Sequence, residues 1–186
     1  SIARLAAIPL MNAIQCALNR DLLLETEKGS LYFAFDTKEL LRGDMQSRFN
    51  AYKTALDFYG WDKLCAFDEV VMTNSTLMGP VRPLREMFDA MAQEQDLDFW
   101  GLTLHHGAEG NPFKGKHIYD YLPVHIQSHF IVYRKKFLQT ADLQKYWDTM
   151  PMIESYTDSV QRYEAVFTKQ FADKGYKWDV YVKTDD

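Results

Sequence analysis

Between Glu69 and Val182 short apolar runs alternate with stretches of helical periodicity, and this alternation restricts the fold more than any other feature of the chain. Glu69-Val70-Val71-Met72-Thr73 is a β-type run that stops at the polar Asn74-Ser75-Thr76. Gly79-Pro80 and Pro83 follow as turn and helix-start signals. Leu84, Met87, Phe88 and Met91 then fall at i, i+3, i+4 and i+7 of an amphipathic helix. Leu97 to Thr103 reads as the next strand, Ile126 to Tyr133 as another, and Leu138 to Trp147 as a helix. Val160 to Lys174 reads as a further helix, starting near Thr157 and closed by Gly175. Trp178, Val180 and Val182 alternate with polar positions in a last strand. His105 to Pro123, with its Gly, Pro, Asn and His residues, reads as a long surface loop. Upstream, Met11 to Glu27 reads as a helix stopped by Gly29, Leu31 to Phe35 as a short strand, and Met45 to Tyr59 as a helix ended by Gly60. Strand–helix alternation of this kind predicts an α/β sheet layered with helices.

The chain has 186 residues, enough for one domain with a proper core and too few for two large ones. The formal net charge is -5 and no lysine–arginine run stands out, which argues against a nucleic-acid partner. Cys16 and Cys65 are far apart and lack metal-ligand spacing, so free thiols in a reducing, cytoplasmic compartment are expected. No apolar run is long enough to span a membrane. The opening Ser-Ile-Ala-Arg-Leu-Ala-Ala-Ile lacks the shape of a signal peptide, and with no initiator methionine the sequence reads as a piece of a longer chain. Neither a Walker loop, a Gly-x-Gly-x-x-Gly nor a Gly-x-Ser-x-Gly elbow occurs, which argues against ordinary nucleotide hydrolases, dehydrogenases and serine esterases.

Four places could carry chemistry. Ligands of open α/β sheets bind beyond the carboxyl ends of strands, where Asn74, Ser75 and Thr76 stand; the same residues suit a plain capping turn. Glu164 is the second. With Val160 at zero and about 100° per residue, Tyr163, Phe167 and Phe171 fall within roughly 60° and Glu164 at about 40°, inside the apolar stripe. A carboxylate there must be paired, for example with Arg134, or must face a cavity, where a raised pKa would suit a general base. The third is the histidine set His105, His106, His117, His125 and His129. In a strand His125 and His129 would stand about 13 Å apart, too far to share an ion, so no metal site is expected and a loop histidine touching substrate, such as His105, suits better. The fourth is Gln127-Ser128-His129-Phe130, with Gln127 and His129 on one face and Ser128 and Phe130 on the other, lining a polar pocket or standing as ordinary edge residues. Arg134-Lys135-Lys136 reads as a solvated strand end, with phosphate steering as the alternative.

Several segments together resemble the rhamnan synthesis protein F family of bacterial polysaccharide assembly. They are Phe67-Asp68-Glu69-Val70-Val71-Met72-Thr73-Asn74, Gly79-Pro80, Met87-Phe88, Asp98-Phe99-Trp100-Gly101-Leu102-Thr103, Gln127-Ser128-His129-Phe130-Ile131-Val132, Tyr163-Glu164 and Lys174-Gly175-Tyr176, with Arg48-Phe49-Asn50-Ala51-Tyr52-Lys53 a fainter match. The resemblance covers about 48–182 of a single domain and leaves 1–47 as a poorly matched helical segment. It implies a GT-A-like α/β fold with a mixed, mainly parallel sheet flanked by helices. It also implies transfer of a sugar, rhamnose from a dTDP donor, to a glycan or lipid-linked glycan, at the inner face of the membrane and alongside other polysaccharide-assembly enzymes. On that reading Glu164 is the catalytic base. Asn74, Ser75, Trp100, His105, Gln127 and Ser128 bind substrate, and Arg82 and Arg85, near a helix start, face the leaving diphosphate. The family usually has an acid directly after the asparagine, the counterpart of a GT-A metal ligand. Here that position is Ser75, so a Mg²⁺ or Mn²⁺ site lacks its expected carboxylate. The departure motivates a second reading, a glycan-binding or scaffold domain descended from such enzymes.

Overall fold

The computed structural model describes residues 5–8, 22–26, 29–33, 48–73, 77, 80, 82–110, 112 and 118–183. Four strands form the sheet that positions the site: β4 (Glu69–Thr73), β5 (Phe99–Gly101), β8 (Phe130–Arg134) and β9 (Trp178–Val180). Their order is β4-β8-β5-β9. On the far side of β4 the backbone continues through β1 (Leu5–Ile8), β3 (Gly29–Phe33) and β2 (Leu22–Thr26). A strand over Leu22–Thr26 replaces the end of the helix predicted from Met11 to Glu27; the rest of that helix lies outside the described residues.

The sheet is mixed: β1, β3, β4, β5 and β9 run one way, and β8 and β2 run against them. β8 runs antiparallel to both β4 and β5, with Met72 opposite Ile131 and Trp100 opposite Val132, while β9 is parallel to β5. The cause is connectivity. β4, the helix α3 (Leu84–Gln93) and β5 form a crossover that leaves β4 and β5 parallel with a gap between them. β8 fills that gap from the opposite direction. Apolar pattern fixes which segments are strands but not which way each one runs.

Alternation along the central strands feeds two cores. Val70, Met72, Phe99, Ile131 and Tyr133 face one side, and Val71, Trp100, Phe130 and Val132 face the other. Met87 and Met91 of α3 cover the second face, as the i, i+3, i+4, i+7 spacing predicts. The first face is covered by α1 (Arg48–Tyr59), α4 (Lys135–Leu138), α5 (Ala141–Asp148) and α7 (Ala165–Ala172) through Phe49, Leu56, Phe137, Leu143, Trp147, Phe167 and Phe171. Each large side chain buried this way contributes about 1.5–3 kcal/mol. Gly60, at φ 72, ends α1 and leads into α2 (Trp61–Leu64), a conformation that glycine takes without steric cost. Thr140 separates α4 from α5, its Oγ1 accepting from the Leu143 N–H at 3.3 Å, so the helix predicted over Leu138–Trp147 is two short helices with a capped start.

Three further predictions are corrected. The strand predicted over Ile126–Tyr133 is broken: β7 (His125–Ile126) ends, Gln127 to His129 turn, and β8 begins at Phe130. The long loop is a hairpin arm at its root, where β6 (Leu104–His105) pairs antiparallel with β7 and Ala108 bridges Leu122. The arm is tied to α7 through Tyr119, whose hydroxyl donates to Asp173 at 3.0 Å. The last helix is also interrupted. α6 (Tyr156–Ser159) runs into a π-helical turn, Val160–Glu164, before α7. π turns recur at functional sites.

Candidate functional site

Because β4 and β5 both oppose β8, and β9 follows β5, the carboxyl ends Thr73, Gly101 and Val180 lie along one edge of the sheet, where β8 starts. The Thr73 hydroxyl donates to the His129 carbonyl at 3.1 Å and pins the turn before β8 onto the end of β4. In the same turn, fully buried Ser128 donates its hydroxyl to Oε2 of Glu164, which the π turn carries to this edge half-buried. Tyr52, from α1, donates to the Ser128 carbonyl at 2.8 Å. The inward phase expected of Glu164 is therefore present, but its partner is a serine. Arg134 is engaged elsewhere.

On the β5 side, Thr103 Oγ1 lies 2.8 Å from Gln127 Oε1 and 3.1 Å from His129 Nε2. An amide oxygen only accepts, so the single Thr103 proton is committed to Gln127 and His129 Nε2 is the donor to Thr103. The Gln127 N–H closes the unit by donating to the Thr103 carbonyl at 3.1 Å. Gln127 and His129 meet on one partner, as the period-two reading expects, although the backbone there is a turn. Thr103 and Tyr52 carried no signal in the sequence, since a lone hydroxyl in an apolar segment has no periodicity to mark it.

Other predicted residues stand as follows. Asn74, Ser75 and Thr76 lie outside the described residues. His105 is exposed at the root of the arm, accepts the Gly107 N–H at 3.0 Å on Nδ1, and stacks on buried His125 with ring centroids 5.0 Å apart. Trp100 is not a lining residue. It is fully buried against Phe88 and Phe130, and its indole donates to Glu69 Oε1 at 3.1 Å. Its place in a β5 with both faces covered decides this. Arg82 and Arg85 lie where the chain re-enters from the β4 end. Each is exposed and faces an acid one turn on, Glu86 at 2.9 Å and Asp89 at 3.3 Å.

In the basic triplet Lys135 and Lys136 are exposed, as a solvated strand end requires, but Arg134 is not. Arg134 Nε lies 3.2 Å from Glu69 Oε1, NH1 donates to the Glu94 carbonyl at 2.5 Å and NH2 to the Met91 carbonyl, so the guanidinium closes the C-terminus of α3. Lys136 joins Asp98 at 3.3 Å. Burial pushes the Glu69 carboxyl above its usual value, against the opposing pull of the Trp100 and Arg134 donors.

Among the described residues no three His, Cys, Asp or Glu side chains come together to hold a metal ion. No helix among the described residues is long and apolar enough to cross a membrane.

A family model described as rhamnan synthesis protein F matches residues 23–186. The chain belongs to the rhamnan synthesis protein F family. The match extends upstream of Arg48, where the sequence resemblance had faded, and takes in β2 and β3. It also spans the two segments joined at the sheet edge, Gln127–His129 and the π turn that carries Glu164. Membership in the rhamnan synthesis protein F family implies a role in rhamnan and polysaccharide synthesis. No curated protein matches the chain.

Proposed function

We propose that the chain is a GT-A-like glycosyltransferase that moves a sugar, rhamnose from a dTDP-linked donor, onto a glycan or lipid-linked glycan at the inner face of the membrane. The observation that supports this best is the Ser128–Glu164 hydrogen bond at the carboxyl edge of the sheet, one turn from the end of β4. There the acceptor hydroxyl oxygen attacks the anomeric carbon and Glu164 takes its proton. The bond from that carbon to the nucleotide breaks, and its electron pair leaves with the diphosphate. Asn74 and Ser75 hold the donor from the end of β4, and Gln127 and His105 meet the sugar from the β5 side. Arg82 and Arg85, released from Glu86 and Asp89, stabilise the departing diphosphate. No step is routed through a metal ion. The test is sugar transfer by the wild type and by Glu164→Gln. A loss of turnover of about a hundredfold or more is expected for the loss of a general base, and unchanged turnover removes Glu164 from the reaction.

A second reading rests on the sequence Asn74-Ser75-Thr76, which lacks the acid usual in the family. Under it the same edge binds glycan without turning over a donor, within an assembly of polysaccharide-synthesis enzymes. Calorimetric titration with dTDP, UDP and GDP sugars, with and without Mn²⁺, separates the two. Donor binding supports the transferase; glycan binding alone supports the binding domain.

A further inference from the structure

The hairpin arm that leaves the carboxyl edge carries an aromatic pair that the transfer site does not use. Tyr119 and Tyr121 bring their rings to 5.8 Å, tilted by 48°. The arm is pinned to the last helix at two points. The Ile126 N–H donates to the buried Thr168 hydroxyl at 3.0 Å, and the Tyr119 hydroxyl donates to Asp173 at 3.0 Å. Lys169 pairs with Asp173 and sets its ammonium 5.5 Å over the Tyr119 ring. Burial first, and then the bond to Asp173, pushes the Tyr119 phenol up to about 12, so it remains a donor at neutral pH. Tyr119 is thus a fixed support, and Tyr121, 41% exposed, is presented to solvent beside it.

Position relates this ring to the transfer site. Glu164 precedes α7 and Asp173 follows it. Nine residues of helix set the two about 14 Å apart along the axis. The arm starts at the sheet edge, with exposed His105 at its root. One sugar ring held at Glu164 is too short for that span; a chain of sugars laid along the arm is not.

The surroundings of Tyr121 select among ligands. The face of a phenol ring is negative and attracts the C–H groups on one side of a pyranose ring. Asp173, Lys169 and the exposed Asp120 offer charged acceptors and donors for sugar hydroxyls. Two carboxylates against one ammonium disfavour an anionic lipid surface or a diphosphate. Charged side chains this close to the ring are also unlike the core of a protein interface, from which charge is depleted.

We propose that Tyr121 and the Asp173–Lys169 pair form a second glycan subsite, which holds the acceptor chain beyond the sugar that reacts. The acceptor role of that glycan rests on the transferase reading; binding at the arm needs no turnover.

The experiment titrates long rhamnose oligosaccharides, released from rhamnan, into the wild type, Tyr121→Ala and Tyr121→Phe by calorimetry. Tyr121→Ala is expected to bind them about tenfold more weakly than the wild type, the loss of one stacked ring. Tyr121→Phe, which keeps the ring, binds them like the wild type. Equal affinities of Tyr121→Ala and the wild type overturn the proposal. So does an equal loss in both variants, or a wild type that does not bind the chains. Glu164→Gln separates the two readings. If it transfers sugar at the wild-type rate while Tyr121→Ala still binds weakly, catalysis by Glu164 fails and the arm subsite stands. If Tyr121→Ala binds normally while Glu164→Gln is inactive, the arm subsite fails alone.

Discussion

Ser128 donates its hydroxyl to Glu164 across 36 positions of sequence, joining the turn that opens β8 to the π turn of the last helix. The serine is fully buried, so the bond sets where the carboxylate can stand. Ser128→Ala is expected to lower sugar transfer about tenfold, the kinetic equivalent of one lost hydrogen bond. Ser128→Thr, which keeps the hydroxyl, restores most of it. Steady-state kinetics on both variants check this, and equal rates in the alanine variant and the wild type remove the bond from catalysis.

Arg134 and Glu69 are unequal partners. Arg134 also holds two carbonyls at the end of α3, whereas Glu69 is a carboxylate that burial disfavours. Its raised pKa means that the folded protein keeps this proton to higher pH than the unfolded chain. The contribution of Glu69 to stability is thus largest below the unfolded value and falls as pH rises through the folded one. Arg134→Met, which removes the cation beside the carboxylate and leaves it only the Trp100 donor, is expected to cost about 3 kcal/mol at pH 7. Acidification shrinks the loss as Glu69 takes up its proton. Glu69→Gln, which keeps an acceptor for Trp100, costs far less. Urea unfolding at several pH values measures both, and a loss independent of pH in Arg134→Met contradicts the assignment.

Asn50 acts as a piece of backbone. Its amide donates to the Ile153 carbonyl at 2.8 Å and accepts the Ile153 N–H at 2.9 Å, locking α1 to the segment ahead of α6. Asn50→Leu leaves both backbone groups buried and unpaired, at a cost of about 3 kcal/mol. Thermal unfolding tests it, and a shift within error of zero is inconsistent with the bonds described.

Gly101 leaves no room for a side chain. A Cβ placed there would stand 2.2 Å from Ile126 Cγ2 and 3.2 Å from the Phe130 carbonyl oxygen. Gly101→Ala is expected to lose about 2–3 kcal/mol, because the methyl wedges β5 away from β7 at the edge where the site is built. Chemical denaturation reads the loss directly.

What the sequence disclosed follows the reach of its signals. Residues 69–73 could be read as a strand, and Met87 and Met91 as the buried face of a helix, because burial on a sheet or helix imposes a period over a few residues. Glu164 was visible for the same reason, as a charge out of place in an apolar stripe. Its partner Ser128 was not, since nothing local marks which distant hydroxyl will meet it. The break at Gln127–His129 was hidden because no glycine or proline announces the turn and apolar residues flank it on both sides. Trp100 was misplaced because a family motif fixes position along the chain but not which core a side chain enters. The direction of β8 depends on a gap created by two other strands, which no segment of sequence displays.

That gap has a consequence for the order of assembly. On the ribosome, β4, α3 and β5 emerge well before β8, so a nascent chain that has released Gly101 but not Arg134 carries two facing strand edges with nothing between them. Closure waits for the hairpin arm to be synthesised and for β8 to slide in, satisfying both edges in one event. The middle of this sheet is thus closed only after both of its flanking strands have been made, and until then those edges are open to strand capture by neighbours.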